Sequence, residues 1–124
     1  MASKTLKIGI MSKKDYKKRT IAIAKGEYRP KRGEPKIWFE SVQSMAQVLS
    51  SENQQLLREI LEKRPSSIKE LEAATGRKSS NLSRTLKMME RYGIVELKRE
   101  RRAVKPIVKA TDFKVEFGLH TCCG

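Results

Sequence analysis

The sequence has one histidine, His120, and two cysteines, Cys122 and Cys123, all close to its end. Enzymes of this size need polar groups that can act together, so a non-enzymatic role is expected. No glycine-rich phosphate loop, nucleophile motif or spaced ligand set stands in the chain, and neither a cofactor nor a metal site is expected. Neighbouring cysteines rarely bridge one another, and a disulfide framework needs spaced ones. The expected end, residues 119–124, is therefore a flexible tail with reduced thiols. A metal- or redox-sensing tail is the other reading, but it is short of ligands for a closed zinc centre. No apolar run is long enough to span a membrane, and MASKTLKIGIMSKK lacks the apolar core of a signal peptide, so a cytoplasmic protein without membrane contact is expected. Aromatic residues make up only 6% of the chain. Few lie among the basic residues, which argues against a stacking platform for single-stranded RNA.

Acidic residues are also scarce relative to basic ones: 14 Asp and Glu stand against 28 Lys and Arg, a formal net charge of +14. The resulting sequence pI of about 10.1 favours polyanionic partners. With 124 residues, the chain can form one domain or a small domain with an arm.

The stretch from Ser66 to Lys109 carries the clearest pattern. Ser67 and Glu70 have capping-box spacing, Ile68, Leu71 and Ala74 recur in steps of three, and Gly76 stands where a left-handed C-terminal residue is needed. A second helix is predicted from Ser79 or Ser80 to Tyr92, with Leu82, Leu86 and Met89 as its apolar stripe and Gly93 as its stop. Its opposite face holds Ser80, Asn81, Arg84, Lys87 and Arg91. Two short helices joined by a brief turn match a helix-turn-helix, whose second helix lies in the major groove.

Strand alternation follows at Val95 and Leu97, then the basic cluster Lys98, Arg99, Arg101, Arg102, then a second extended run from Val104 to Val108. Helix, helix and basic-tipped hairpin is the order of a winged helix. In that reading Ser79, Ser80, Asn81 and Arg84 read or orient on bases, while Lys78, Lys87, Arg99, Arg101, Arg102 and Lys105 grip phosphates. The plainer alternative makes Ser79 a helix cap and Arg84 a salt-bridge partner. The tip, Glu100-Arg101-Arg102, has no glycine.

From Ser51 to Lys109 the chain resembles the winged helix-turn-helix of MarR-type bacterial regulators. The matching residues are Ser67 to Leu71, Thr75-Gly76, Asn81 to Arg84, Leu86 and Tyr92 to Val95. The whole chain also resembles a small group of predicted DNA-binding regulators, some thought to act as antitoxins, in which a strand-helix-strand precedes the winged helix. LKIGI, KIWFES and the residues Pro106, Val108, Asp112 and Phe113 carry that likeness. It implies a possible toxin protein as partner.

The rest of the chain reads as support. Thr5 to Met11 alternates as a strand. Ser12 caps a helix with Asp15 three residues on, with Tyr16, Thr20, Ile23 and Ala24 on one face and Lys13, Lys14, Lys17, Lys18 and Arg19 on the rest. Residues 26–36 form a loop punctuated by Pro30, Gly33 and Pro35, and Lys36 to Glu40 forms a short strand. Trp38 is either an exposed anchor for a partner or packed beneath the preceding helix. Ser41 opens a helix with Val42, Met45, Val48 and Leu49 inward. Ser51 and Gln54 cap the next, which carries Leu56, Leu57, Ile60 and Leu61. Asp112 to Phe117 is an amphipathic strand that needs a partner, and Leu6 to Ile10 has the matching pattern.

The expected fold is α+β, a winged helix-turn-helix over residues 41–118 behind a strand-helix-strand extension over residues 1–40. The expected function is a sequence-specific double-stranded DNA-binding transcriptional regulator, read as a repressor and a homodimer. The alternatives are an antitoxin-type protein-binding module and an RNA-binding winged helix.

Overall fold

The computed structural model describes residues 4–119, so His120, Cys122 and Cys123 lie outside the described residues. The elements run β1 (Thr5–Ile10), α1 (Lys13–Ala24), β2 (Ile37–Phe39), α2 (Val42–Val48), α3 (Ser51–Lys63), α4 (Ile68–Thr75), α5 (Ser79–Arg91), β3 (Val95–Glu100), β4 (Ala103–Val108) and β5 (Asp112–Glu116). Among the described residues, five helices and two small sheets give an α+β architecture. It divides into two compact units. One is Val48–Asp112; the other is Thr5–Gln47 together with the segment from Phe113 onward. Set beside the boundary expected at residue 41, α2 goes with the N-terminal strands, and so does β5.

In the Val48–Asp112 unit, α3 packs on α4 and β4, α4 on α5 and β4, and α5 on β3. The core is aliphatic: Leu56, Leu57, Ile60, Leu71, Leu82, Leu86, Met89, Ile94 and Val95 are all buried. Each such side chain stabilises the fold by about 1.5–3 kcal/mol through water removed from apolar surface. Among the described residues, Asn53 is the one buried polar residue of this core. Its Nδ2 donates to Val48 O at 3.0 Å, and its Oδ1 accepts from Arg77 Nη2 at 3.3 Å. A buried amide satisfied on both sides ties the start of α3 to the turn between α4 and α5.

Local capping explains the helix bounds, with three adjustments to the sequence reading. Ser67 Oγ accepts from Glu70 N at 3.1 Å as expected, but the Glu70 carboxylate accepts from Ser66 N and the Ser66 hydroxyl rather than closing back on Ser67. The cap of α3 is Ser50, one residue before the expected Ser51. Its Oγ accepts from Asn53 N at 3.2 Å, while Gln54 Nε2 donates to Leu49 O. Ala74, expected inward on α4, is exposed; Ile68, Leu71 and Thr75 form the covered face, and the Thr75 hydroxyl donates to Leu71 O.

In the other unit the sheet order is β2-β1-β5. β1 and β2 run parallel, with Ile8, Gly9 and Ile10 opposite Ile37, Trp38 and Phe39, and α1 forms the crossover that parallel neighbours need. The expected partnership of β5 with the N-terminal strand is present. Ile8 and Phe39 are buried on one face. On the other, the Trp38 ring lies over Gly9, so closely that a Cβ at Gly9 would stand 2.3 Å from Trp38 Cζ3.

The covered face of α1 is not the expected one. Tyr16, Thr20 and Ala24 are exposed, whereas Asp15, Arg19, Ala22 and Ile23 are turned in. The reason is Arg19, whose guanidinium sits 5.0 Å from the Trp38 ring centre and 5.8 Å from that of Tyr28. A planar, weakly hydrated guanidinium stacks on aromatic faces more readily than an ammonium group, so the single arginine among the lysines of α1 is the one drawn in. Trp38 thus packs beneath the basic helix. On α2, Val42 is 48% exposed rather than inward, and Val48 is buried.

Candidate nucleic-acid interface

Helix α5 is amphipathic along its whole length. Leu82, Leu86 and Met89 are fully covered, and the opposite side carries Ser80, Arg84, Lys87 and Arg91 at steps of four, three and four, all exposed. That spacing keeps them on one face of a helix. Ser79 and Asn81 are exposed at the first turn. Lys78 is the N-cap and makes no side-chain capping bond, so the first-turn amides of α5 are left without a side-chain acceptor from the cap residue. Ser79 is therefore not the cap, and its hydroxyl is free of that duty.

Arg84 forms no ion pair among the described residues. The same holds for Lys78, Lys87, Arg91, Lys98, Arg99, Arg101, Arg102 and Lys105. Elsewhere in this unit three cations are matched, Lys63 to Glu59 at 3.0 Å, Lys109 to Glu96 at 3.3 Å and Arg77 to Glu52 at 3.9 Å, while Arg58, Arg64 and Lys69 form no ion pair among the described residues. A run of unpaired cations on one helix face and the neighbouring hairpin raises the local potential and favours a polyanion there.

Strands β3 and β4 pair antiparallel from Val95↔Val108 to Glu100↔Ala103, leaving Arg101 and Arg102 as a two-residue turn. Arg101 takes φ 54°, the left-handed conformation that glycine ordinarily supplies. A glycine-free tip thus closes tightly and exposes both guanidinium groups. Lys98 and Lys105 are direct cross-strand partners. The hairpin is anchored to α5 by Glu90, whose Oε2 accepts from Leu97 N at 3.1 Å.

A shallow hollow of about 380 Å³ joins Lys78, Ser80, Asn81 and Arg84 with Glu52 and Arg77. The structure therefore brings four of the sequence-predicted residues to one place, with Lys87 further along the same helix. Arg99, Arg101, Arg102 and Lys105 lie on the hairpin. Arg77 and Arg91 were not among the predicted site residues. Arg91 was legible from the helical repeat, whereas the position of Arg77 depends on its bond to Asn53, 24 residues away.

Residues 48–115, more than half of the chain, match the HVO_A0114 family. The chain belongs to that family. The matched span of this HVO_A0114 member begins just before α3 and runs into β5, so it holds both α5 and the hairpin. No curated protein and no solved structure matches the chain. Among the described residues, no group of three His, Cys, Asp or Glu could hold a metal ion, and no helix is long and apolar enough to cross a membrane.

Proposed function

We propose that this chain is a cytoplasmic, sequence-specific double-stranded DNA-binding regulator, built on a winged helix-turn-helix and acting as a repressor. In this reading α4 and α5 are the helix-turn-helix, α5 enters the major groove, and the β3–β4 hairpin is the wing. The observation that carries the reading is the stripe Ser80–Arg84–Lys87–Arg91. It is exposed, its cations have no acidic partner among the described residues, and it lies directly opposite the buried stripe of the same helix.

Division of labour follows from position. Ser79, Ser80 and Asn81 stand at the N-terminal turn of α5, the part of such a helix that meets base edges, and Arg84 is one turn on. Arginine forks bidentately onto guanine. Lys78 and the amides of the first turn suit a phosphate. Lys87, Arg99, Arg101, Arg102 and Lys105 supply counter-charge along the backbone, which sets affinity without reading sequence. The resemblance to MarR-type regulators supports the same arrangement.

A fluorescence-anisotropy titration of the full chain against duplexes selected from a random pool tests this. Tight binding to the selected duplex is expected, weaker binding to a scrambled one, and log affinity falling linearly with log salt by about 0.9 per phosphate contact. Equal affinity for both duplexes at every salt concentration would remove the sequence-specific reading.

A further inference from the structure

Strand β5 is at the edge of the β2-β1-β5 sheet, and its outer backbone groups face no neighbouring strand among the described residues. Lys7 pairs with Glu116 at 3.4 Å, which places Glu116, and by alternation Lys114, on the Gly9–Trp38 face of the sheet. Phe113 and Val115 alternate to the opposite face, where Val115 is 43% exposed, and Phe117, one residue past the strand, is 60% exposed. An open edge flanked by exposed apolar side chains is a template for another strand. No proline interrupts it.

We infer that the occupant is β5 of a second copy, paired antiparallel across a two-fold axis through Val115. The sequence of the strand selects this register. Centred on Val115, the partners are Lys114 with Glu116 and Glu116 with Lys114, two opposite-charge pairs, and Phe113 comes opposite Phe117, the residue that follows the strand. Centred one residue earlier, Lys114 meets its own copy and Asp112 meets Glu116, so every charge is opposed by its like. Centred one residue later, Glu116 meets its own copy. Registers that pair odd with even positions put Lys114 against an apolar residue and break the two-faced pattern. Centred on Phe113, Asp112 meets Lys114 and Phe113 meets its own copy, but Glu116 is then set against Ala110 and Val115 against Thr111; the Val115-centred pairing is the one that gives both Lys114 and Glu116 an opposite charge. A symmetric, self-complementary strand of this kind gives an isologous dimer, joining two three-stranded sheets into one of six. β1 lies between β2 and β5 and has no free edge, which leaves β5 as the strand open to a second copy on that side.

Sedimentation equilibrium of the full chain without DNA tests the interface separately from the DNA-binding proposal. A reversible dimer at micromolar concentrations is expected. Lys114→Glu should weaken it about ten-fold or more, because both crossing pairs become Glu against Glu. Lys114→Glu combined with Glu116→Lys should recover the wild-type association even though the Lys7–Glu116 pair within each chain is lost. Far-ultraviolet circular dichroism checks that each variant is folded. A wild-type chain that stays monomeric at ~100 μM, a dimer indifferent to Lys114→Glu, or a charge-swapped double variant that does not recover overturns the proposal.

Discussion

Lys98 and Lys105 are direct partners across the β3–β4 hairpin, two ammonium-bearing side chains on one face of one ladder rung, and neither has an acidic partner among the described residues. Like charges set opposite each other weaken a hairpin. The arrangement costs the free protein stability and is relieved when a polyanion lies across it. Replacing Lys105 by Glu should stabilise the free chain by a few tenths of a kcal/mol to about 1 kcal/mol, since the rung becomes an opposite-charge pair. The same change should weaken binding to any duplex and lower the salt slope by about 0.9. Urea melts and anisotropy titrations on the same preparation read the two effects, which are expected to have opposite signs.

Arg84 and the turn pair Arg101–Arg102 should separate base reading from backbone grip. Arg84→Ala is expected to cost about 1–3 kcal/mol on a selected duplex and little on a scrambled one. Replacing Arg101 and Arg102 together by alanine should weaken both duplexes alike and flatten the salt dependence. If Arg84→Ala weakens both duplexes equally, Arg84 is a phosphate clamp instead of a base reader.

Gly9→Ala tests the packing of the N-terminal sheet. The added methyl would stand 2.3–2.9 Å from three carbons of the Trp38 ring, and the ring, which also carries Arg19, must shift to admit it. A destabilisation of about 1–3 kcal/mol is expected from such overpacking. Trp38 is the only tryptophan, so its fluorescence reports the displacement directly as a shift to longer wavelength.

Glu70 gives a signed dependence on pH. The hydroxyl and backbone N–H of Ser66, with a further contribution from the Ser67 backbone, hold its carboxyl below the usual value of 4.5. A carboxylate whose folded pKa is depressed adds stability above its unfolded pKa and loses it as pH falls through the folded value. Glu70→Gln should therefore lower the urea midpoint at pH 7, and the gap to wild type should close as the pH falls below about 4.5. A gap that stays constant from pH 7 to pH 3 would show that the capping contact does not depend on the charge.

Much of the candidate interface was legible from the chain because α5 carries its own frame. Buried and exposed positions alternate with the helical repeat from Leu82 to Arg91, and sorting the two faces needs no knowledge of what packs against them. Capping serines and the glycines at 76 and 93 mark helix ends through local hydrogen bonds and left-handed backbone, which are again short-range. The one-residue displacement at Ser50 and the diversion of Glu70 to Ser66 arose because two serines stand side by side at each site, and spacing alone does not choose between neighbours.

Alternation and capping in the sequence determined the elements, the amphipathic sides of α5 and the expectation that β5 needs a strand beside it, because these rest on interactions within a few residues. Tertiary structure decided the rest. The turned-in face of α1 was set by two aromatic rings, Tyr28 and Trp38, nine and nineteen residues beyond Arg19. The Lys98–Lys105 rung was set by where the turn at Arg101 and Arg102 closes, and the central place of β1 by a strand more than a hundred residues away in the chain. Charge and hydropathy along a sequence register what each residue prefers. Which partner meets that preference depends on distant segments arriving together, and one guanidinium among several equally basic neighbours is sorted only by the ring it meets.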